Sequence, residues 1–154
     1  AEGNLALSVI EKVKKAYLLE TNPEWIEALE ATFAPWKDKV EIVNKFVSNK
    51  DDDKYLSLDQ FFKEKQEINF IKIDAEGAES DILEGGDKLF SSNAPLKVAI
   101  CTYHFLHDDQ KFDKHLKQRN FTTEFSDGYM IFDDPGVSPF ESPYLRKGLI
   151  RAKR

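Results

Sequence analysis

The first third of the chain alternates between helical and strand patterns of hydrophobic positions. Apolar side chains recur at every fourth position over residues 5–13, which predicts an amphipathic helix. The short apolar run 16–19 predicts a buried strand. Asn22 and Pro23 are residue types typical of a helix N-cap and of the first helical position, so we expect a helix that ends before Pro35.

Similar patterns continue to the end of the chain. In order, they predict a strand over 40–47, a solvated turn over 49–54, a short helix over 57–65, a strand over 68–73, a helix from Ala78 to the Gly85–Gly86 pair, a strand over 96–103, a helix capped by Asp108 or Asp109, a hairpin of strands 121–125 and 129–132 around Asp127-Gly128, and a closing strand over 148–152. Strands that alternate with helices and finish in an antiparallel pair predict an α/β fold with a mainly parallel sheet.

Composition narrows the class of protein. The 154 residues fit one domain, 1–154, on the usual prior of about 100–200 residues per domain. The net charge of −6 argues against a general nucleic-acid binder, which needs a basic surface. No run approaches the roughly 20 apolar residues of a membrane span, and the single cysteine, Cys101, excludes an internal disulfide. We therefore expect a soluble cytoplasmic protein without nucleic-acid or membrane partners.

Polar side chains follow each of the first four predicted strands. Glu20 ends the first strand, Ser48 the second, Asp74 the third and His104 the fourth. Ligands of open α/β sheets bind beyond the carboxyl ends of the strands. The sequence therefore predicts that these side chains converge at one edge of the sheet and form a site.

Glu20 has two interpretations. An acid that ends a strand after a helix with a glycine turn is where nucleotide-binding sheets hold ribose hydroxyls, because one carboxylate accepts both hydroxyl protons. Alternatively, Glu20 is a solvent-exposed acid in front of a helix, where the helix dipole favours negative charge.

Asp74, Glu76 and Glu79 are the densest acidic cluster at a strand end. Their mutual repulsion has to be offset by a cation or by hydrogen-bond donors. Gly77 permits a tight turn or a close ligand approach that a Cβ atom would block. Alternatively, Glu76 and Glu79 only place negative charge in the first turn of the next helix.

His104 is a candidate general base, since histidine is the side chain best suited to move a proton near neutral pH. A buried, hydrogen-bonded structural histidine is the alternative. Cys101 lies within the same predicted strand, and we expect it to be a small buried hydrophobic residue.

These residues carry a family resemblance. The segment 69–79, Asn-Phe-Ile-Lys-Ile-Asp-Ala-Glu-Gly-Ala-Glu, resembles the strand-end signature of FkbM-type methyltransferases, which use S-adenosylmethionine. Segments 18–23 and 57–61 are similar to further motifs of that family, and the match runs in order over residues 3–132. The family's sheet begins with a strand and a glycine-rich loop, whereas this sequence begins with residues that resemble only the tail of that loop.

The resemblance implies a Rossmann-like, doubly wound α/β sheet that is incomplete at the N-terminus. It implies that Gly3 lines the amino-acid end of S-adenosylmethionine, that Glu20 binds its ribose, that Ser48 lies near the adenine and that Asp74 lies by the sulfonium and the acceptor. The activity implied is O-methylation of a hydroxyl on a sugar or small natural product.

The mechanism expected for this chemistry is in-line displacement, in which the enzyme aligns the acceptor oxygen with the methyl carbon. Glu76 and His104 are the candidate bases for the hydroxyl proton, and no metal ligand is assigned. Two alternatives stay open. The cluster of Asp74, Glu76 and Glu79 is also suited to a divalent-metal-dependent hydrolase, and the same fold also occurs as a non-catalytic interaction module.

Overall fold

Strands and helices alternate along most of the chain, as the hydrophobic pattern predicts. The computed structural model describes residues 3–63, 65, 68–134, 136–137 and 140–154. The helices are α1 Asn4–Val9, α2 Pro23–Phe33, α3 Leu58–Phe61, α4 Glu79–Gly85, α5 Asp87–Ser91 and α6 Asp108–Lys117, with 3₁₀ turns at Ile10–Lys12 and Ala34–Trp36. The strands are β1 Ala16–Leu19, β2 Val40–Val43, β3 Phe46–Val47, β4 Tyr55–Leu56, β5 Phe70–Ile73, β6 Lys97–Cys101, β7 Thr122–Phe125, β8 Met130–Ile131, β9 Leu145–Arg146 and β10 Leu149–Lys153.

Two sheets make up the centre of the fold. Strands β1 and β2 pair in parallel, with Ala16 opposite Val40. A second sheet has the order β5-β6-β10-β7, in which β5 and β6 are parallel and β10 is antiparallel to both neighbours. Strands β3 and β4 form a short parallel ladder, and β8 and β9 a short antiparallel one. The predicted α/β architecture, mainly parallel with an antiparallel pair of strands near the C-terminus, is confirmed.

Helix α2 follows its sequence signals closely. The Asn22 side chain accepts hydrogen bonds from the backbone N–H groups of Glu24 and Trp25, at 2.9 and 3.4 Å, so it satisfies donors that a helix N-terminus leaves unpaired. The helix ends at Phe33, before Pro35 as predicted. In contrast, neither Asp108 nor Asp109 caps α6; the N-cap is His107, in a left-handed conformation with φ 68°.

The single strand predicted over 40–47 is wrong, because the chain breaks between β2 and β3. The Lys45 N–H bonds back to the Val43 carbonyl at 3.1 Å and ends the pairing with β1. Strand β3 then pairs with β4, which lies just beyond the predicted turn and was not expected. Of the predicted helix 57–65, the structure has α3, while Glu64 lies outside the described residues.

The predicted hairpin of strands 121–125 and 129–132 is also wrong. Strand β7 pairs with β10, with Phe125 opposite Ile150, and β8 pairs with β9. Strand β10 lies inside the sheet, where both of its edges are hydrogen-bonded and Ile150 is fully buried. This pairing stabilises the fold more than a local hairpin at the Asp-Gly turn would. The antiparallel terminal pair is therefore β7 with β10.

The buried side chains form two separate clusters. The larger cluster joins the four-stranded sheet to α3–α6 and includes Ile73, Phe90, Ile100, Phe112, Leu116 and Ile150. The smaller cluster joins α2 to the sheet formed by β1 and β2 and consists of Ile10, Leu29, Phe33 and Val40. Cys101 is buried as expected. None of the helices in the described parts of the chain has the length and apolar content needed to cross a membrane.

Candidate active site

The carboxyl ends of β5 and β6 bring the acidic cluster and His104 together. The two strands are parallel neighbours with Ile73 opposite Ile100, so the residues that follow them emerge at the same edge of the sheet. Asp74 comes directly after β5, and Tyr103 and His104 follow β6. The predicted convergence of strand ends is confirmed for these two strands.

A tight turn after β5 directs the acidic side chains. The Ala78 N–H bonds to the Ala75 carbonyl at 3.0 Å, and the two residues between them have positive φ, 51° at Glu76 and 97° at Gly77. A Cβ atom on Gly77 would come within 2.7 Å of the Phe105 ring. Both this clash and the positive φ require glycine at position 77. At Glu76 the left-handed conformation costs about 1–2 kcal/mol, a strain of the kind often found at functional sites.

A carboxylate lies near each of the two nitrogen atoms of the His104 imidazole. The side chain is fully buried, and its Nδ1 atom is 3.0 Å from Glu79 Oε1. The contact has the length of a hydrogen bond, although its alignment falls short of a regular one. On the opposite side, Nε2 is 3.7 Å from Glu76 Oε2 and 3.9 Å from Asp74 Oδ1. Nε2 has no hydrogen-bond partner among the described residues.

Glu79 is buried although it is the first residue of α4. Its Oε1 atom accepts a hydrogen bond from the Ala75 N–H at 2.7 Å, and its Oε2 atom has no partner within the described parts of the chain. Burial raises the pKa of this carboxyl, but the close contact with His104 and the hydrogen bonds from backbone N–H groups outweigh it and leave the pKa below its ordinary value. Glu79 is therefore a buried, ionised carboxylate.

Asp74 is held ionised by two donors. Lys72 Nζ lies 2.7 Å from Asp74 Oδ2, and the Tyr103 hydroxyl donates to Oδ1 at 2.9 Å. Burial raises the pKa of Asp74, but the hydrogen bond from Lys72 and further donors lower it below its ordinary value. Burial, followed by the hydrogen bond to Asp74, raises the pKa of Tyr103, which therefore keeps its proton. These donors offset the repulsion expected within the acidic cluster.

The pKa of His104 is raised. Burial alone lowers it, but the hydrogen bond and charge of Glu79, followed by the charges of Glu76 and Asp74, outweigh burial. The imidazole is thus more basic than an exposed histidine. The carboxylates around the ring therefore favour its protonated form more than water does around an exposed histidine.

The surroundings of His104 fix the ring. Arg146 Nη1 donates to the backbone carbonyls of Tyr103 and His104, at 2.8 and 2.9 Å. The Phe132 ring packs edge-on against the imidazole, with centroids 5.3 Å apart. Asp108 is buried nearby, and burial raises its pKa to about 6 although the Phe105 N–H bonds to it. Arg146 of β9 therefore holds the backbone at His104, and Phe132, which follows β8, packs against the ring.

The cluster also contains donor atoms that suit a metal ion. Asp74, Glu79 and His104 each offer a ligand atom, and these three atoms lie within 4.8 Å of one another. Carboxylate oxygens with one imidazole suit Mn²⁺ or Zn²⁺. The set differs from the three acids considered from the sequence, because His104 takes the place of the exposed Glu76.

The other predicted site residues lie on different elements. Glu20 ends β1, and its Oε1 atom accepts from the N–H groups of Thr21 and Asn22, at 2.8 and 3.0 Å, at the start of α2. Gly3 precedes α1 with φ 73°, and a Cβ atom there would come within 2.7 Å of Leu29 in α2. Ser48 is buried after β3, and its carbonyl is packed against Gly85 of α4 so closely that no Cβ would fit between them.

Sequence reasoning underestimated Glu79. It began the next helix as expected, but its charge faces His104 instead of solvent. The only local signal was its position in the first helical turn, four residues after Ala75, the residue whose N–H it binds. Arg146 and Phe132 were missed altogether, because they reach the site through tertiary contacts from the last third of the chain.

Comparison with known proteins identifies the fold. The sequence model described as the Methyltransferase FkbM domain matches residues 10–129, which include the whole cluster from Asp74 to His104. No curated protein matches the chain in sequence.

Solved structures of similar fold agree with this match. Methyltransferase FkbM from Methylobacillus flagellatus KT has a TM-score of 0.70 and 15% identity over 97% of this chain, which spans 40% of that protein. The protein SMU.1697c from Streptococcus mutans, solved in complex with SAH, has a TM-score of 0.58 and 15% identity over 99% of this chain and 83% of its own. An rRNA methylase from Streptococcus thermophilus has a TM-score of 0.55 and 15% identity over 100% of this chain and 81% of its own. At these identities the likeness establishes the Rossmann-like fold.

Proposed function

Because the chain belongs to the FkbM methyltransferase family, we propose that it transfers a methyl group from S-adenosylmethionine to a hydroxyl oxygen of a sugar or small natural product. The observation that carries this proposal is the position of Asp74 and His104, an ionised carboxylate and a buried base, at the adjoining ends of β5 and β6. The partner is a small-molecule or saccharide acceptor, since the net charge of −6 disfavours nucleic acid. We further propose that it acts in the cytoplasm.

Two features of the chain fit the cofactor. A sulfonium is a cation, and Asp74 presents a carboxylate that Lys72 and Tyr103 keep ionised. The cofactor's ribose has two neighbouring hydroxyls, and Glu20 lies at the carboxyl end of β1 with one oxygen fixed by two backbone N–H groups. Gly3 is proposed for the amino-acid end and Ser48 for the adenine end. When bound, S-adenosylmethionine supplies an electrophilic methyl carbon.

The residues at the strand ends then act on the acceptor. His104 Nε2, which has no hydrogen-bond partner among the described residues, accepts the proton of the hydroxyl. Glu76 is 75% exposed and lies 3.7 Å from that nitrogen, so its carboxylate binds the acceptor hydroxyl or stabilises the protonated imidazole. A positioned base contributes about 10²–10⁴-fold to the rate. Most of the remaining acceleration comes from alignment of the reacting atoms.

A divalent-metal-dependent hydrolase is the second candidate. The observation that favours it is the set of ligand atoms from Asp74, Glu79 and His104 within 4.8 Å of one another. It predicts a cation-dependent melting temperature and no affinity for S-adenosylmethionine. Against it, Lys72 already occupies one oxygen of Asp74 at 2.7 Å, which lowers the negative charge available to a cation.

The first test is calorimetric titration of S-adenosylmethionine and SAH into the full-length protein and its Glu20→Ala variant. We expect micromolar binding that the variant weakens by about 10–150-fold, which corresponds to about 1.5–3 kcal/mol for hydrogen bonds to a charged group. Glu27→Ala, an exposed acid of α2, is the matched control and leaves the affinity unchanged.

Absence of binding by folded protein contradicts the methyltransferase proposal. If Mn²⁺ or Zn²⁺ raises the melting temperature of that same protein, the hydrolase takes its place. Equal affinity of wild type and Glu20→Ala for the cofactor retains the activity but removes Glu20 from the ribose site.

A further inference from the structure

We propose that Glu79 is a positioning residue that holds the His104 imidazole with Nε2 turned towards Asp74 and Glu76, ready to accept the acceptor's proton. This inference rests on the proposed function for its kinetic consequences, while its structural part stands on contacts alone. Glu79 is fixed by the backbone, it lies against Nδ1 of His104, and Nε2 of the same ring faces the strand ends.

The first step is that Glu79 Oε1 is anchored by the backbone. The side chain is 0% exposed, and burying an ionised carboxylate is costly unless donors compensate. The Ala75 N–H donates to Oε1 at 2.7 Å from within the same tight turn. Because the donor belongs to the main chain, this oxygen has a defined place that does not depend on any flexible side chain.

The second step is that the same oxygen lies 3.0 Å from His104 Nδ1, closer than any carboxylate oxygen lies to Nε2, although the alignment of this contact falls short of a regular hydrogen bond. A neutral imidazole carries one N–H group and one lone pair. An ionised carboxylate beside Nδ1 favours the tautomer with the proton on Nδ1, and the lone pair is then on Nε2. Glu79 thereby selects the nitrogen that is available to act as a base.

The third step is that Nε2 is aimed at the acids of the strand ends without bonding to them. Its distances to Glu76 Oε2 and Asp74 Oδ1, 3.7 and 3.9 Å, are too long for hydrogen bonds. They are short enough for both charges to stabilise an imidazolium once the proton has moved. Nε2 itself is buried, so an acceptor hydroxyl reaches it only if the exposed Glu76 side chain or its neighbours move aside.

Charged groups reach His104 from every side. Asp74 and Glu76 follow β5, Glu79 begins α4, Asp108 begins α6, and Arg146 of β9 donates to the His104 carbonyl at 2.9 Å. Among the acids that shift the pKa of His104, Glu79 exerts the largest effect. It is also the acid that lies closest to the ring, with Oε1 3.0 Å from Nδ1.

The proton transfer balances without a further reagent. The hydroxyl O–H bond would break and its proton would form an Nε2–H bond. The oxygen's electron pair would form the bond to the methyl carbon of S-adenosylmethionine, while the carbon–sulfur bond would break and its electron pair would stay on sulfur as a neutral thioether. Glu79 stays ionised throughout and neutralises the imidazolium. The proton returns to solvent when the product departs.

The decisive experiment is ¹⁵N NMR of His104 in the full-length protein, followed over pH. For wild type we expect the Nδ1–H tautomer in the neutral form and a pKa above that of an exposed histidine. Glu79→Gln should lower this pKa, because it removes the carboxylate charge beside Nδ1. Asp81→Asn is the matched control, because it removes a charge from the exposed side of the same helix, and it should leave tautomer and pKa unchanged.

Methyl transfer provides the second readout. With Glu79→Gln, kcat should fall by about 10²-fold or more while KM is unchanged, because a badly oriented base affects the chemical step. The acidic limb of the pH–rate profile should shift to lower pH together with the His104 pKa. Glu79→Asp, which keeps the charge on a shorter stem, should restore part of the shift.

Each result bears on one part of the proposal. An Nε2–H tautomer in wild type overturns the positioning role even if no variant folds, and so does a His104 pKa that Glu79→Gln leaves unchanged. Broadening of the His104 signals by Mn²⁺ at equimolar concentration overturns it in favour of a metal site. The tautomer and pKa results stand if S-adenosylmethionine fails to bind, so failure of the proposed function is distinguishable from failure of this inference.

Discussion

Glu20, which follows β1, and Glu79, which begins the helix after β5, have different kinds of partners. Glu20, after β1, accepts from two backbone N–H groups of the very next residues. Glu79, in the helix after β5, is paired with His104, which lies 25 positions later in the sequence and at the end of another strand. The first arrangement is a local cap, whereas the second depends on the whole four-stranded sheet. The Glu20 carboxylate is held by its own loop, whereas the Glu79 carboxylate lies against a histidine from a distant part of the chain.

The largest difference between the two ends should appear when the distant pair is broken. Glu79→Ala leaves His104 and the Ala75 N–H without their partner inside the protein, so we expect the free energy of unfolding to fall by about 3–5 kcal/mol. Urea denaturation checks this value, and Asp81→Ala on the exposed face of α4 is the control.

The loss from Glu79→Ala should also depend on pH. The lowered pKa of Glu79 makes its contribution complete above its ordinary value of 4.5 and lost as pH falls through the lowered pKa. The raised pKa of His104 makes its contribution complete below 6.5 and lost as pH rises through the raised pKa. The destabilisation should therefore be greatest between pH 4.5 and 6.5. A loss that is the same at pH 5.5 and pH 9 contradicts the ion pair.

Asp108→Asn tests whether a second buried charge near His104 also lowers the stability of the fold. Burial raises the pKa of Asp108 from 3.8 to about 6, so the folded state binds its proton more tightly and loses stability as pH rises between these values. Asp108→Asn keeps an oxygen for the Phe105 N–H without the charge. Above pH 6 it should stabilise the fold by up to about 3 kcal/mol.

Thermal denaturation of Asp108→Asn at pH 3.5 and pH 7.5 measures this effect. The gain should appear only at the higher pH, where the wild-type carboxyl is ionised. Asp109→Asn, in the same helical turn, should give no such gain, because a less buried acid near a helix N-terminus is mildly favourable. Equal stability of Asp108→Asn and wild type at pH 7.5 argues against a desolvated charge at this position.

The smallest effect is expected at the end of β1. Glu20→Ala removes one acceptor from the start of α2, and the two N–H groups lie near solvent, so the loss should be about 1 kcal/mol. Glu20→Gln should recover most of it, since its amide oxygen still accepts. Chemical denaturation of both variants checks the order. A loss as large as that of Glu79→Ala would remove the distinction between the two strand ends.

Local signals were enough for several elements. Strand β1, helix α2 with its Asn22 cap, and strands β5 and β6 follow from apolar runs and capping residues that lie next to each other in the sequence. Asp74 was located as a strand-end residue for the same reason, because the mostly apolar strand Phe70–Ile73 ends directly before it. The identification of the family rests on this short segment and is confirmed by the match over residues 10–129.

These local signals do not predict which distant segments of the chain pair with each other. The break after Val43 and the placement of β10 between β6 and β7 depend on which partner offers hydrogen bonds and burial, and these partners lie far apart in the chain. An Asp-Gly turn indicates a hairpin locally, but it competes with a buried strand such as β10 that can pair along both edges.

The sequence by itself determined the alternation of strands and helices, the strand-end position of Asp74 and the nature of the chemical groups available. Only the tertiary structure decided what those groups do to each other. It turned Glu79 inwards onto His104, set Lys72 and Tyr103 on Asp74, and brought Arg146 from the end of the chain to the His104 carbonyl. The physical reason is that charges change one another's proton affinity over a few ångströms of space, and separation along the sequence does not measure that distance.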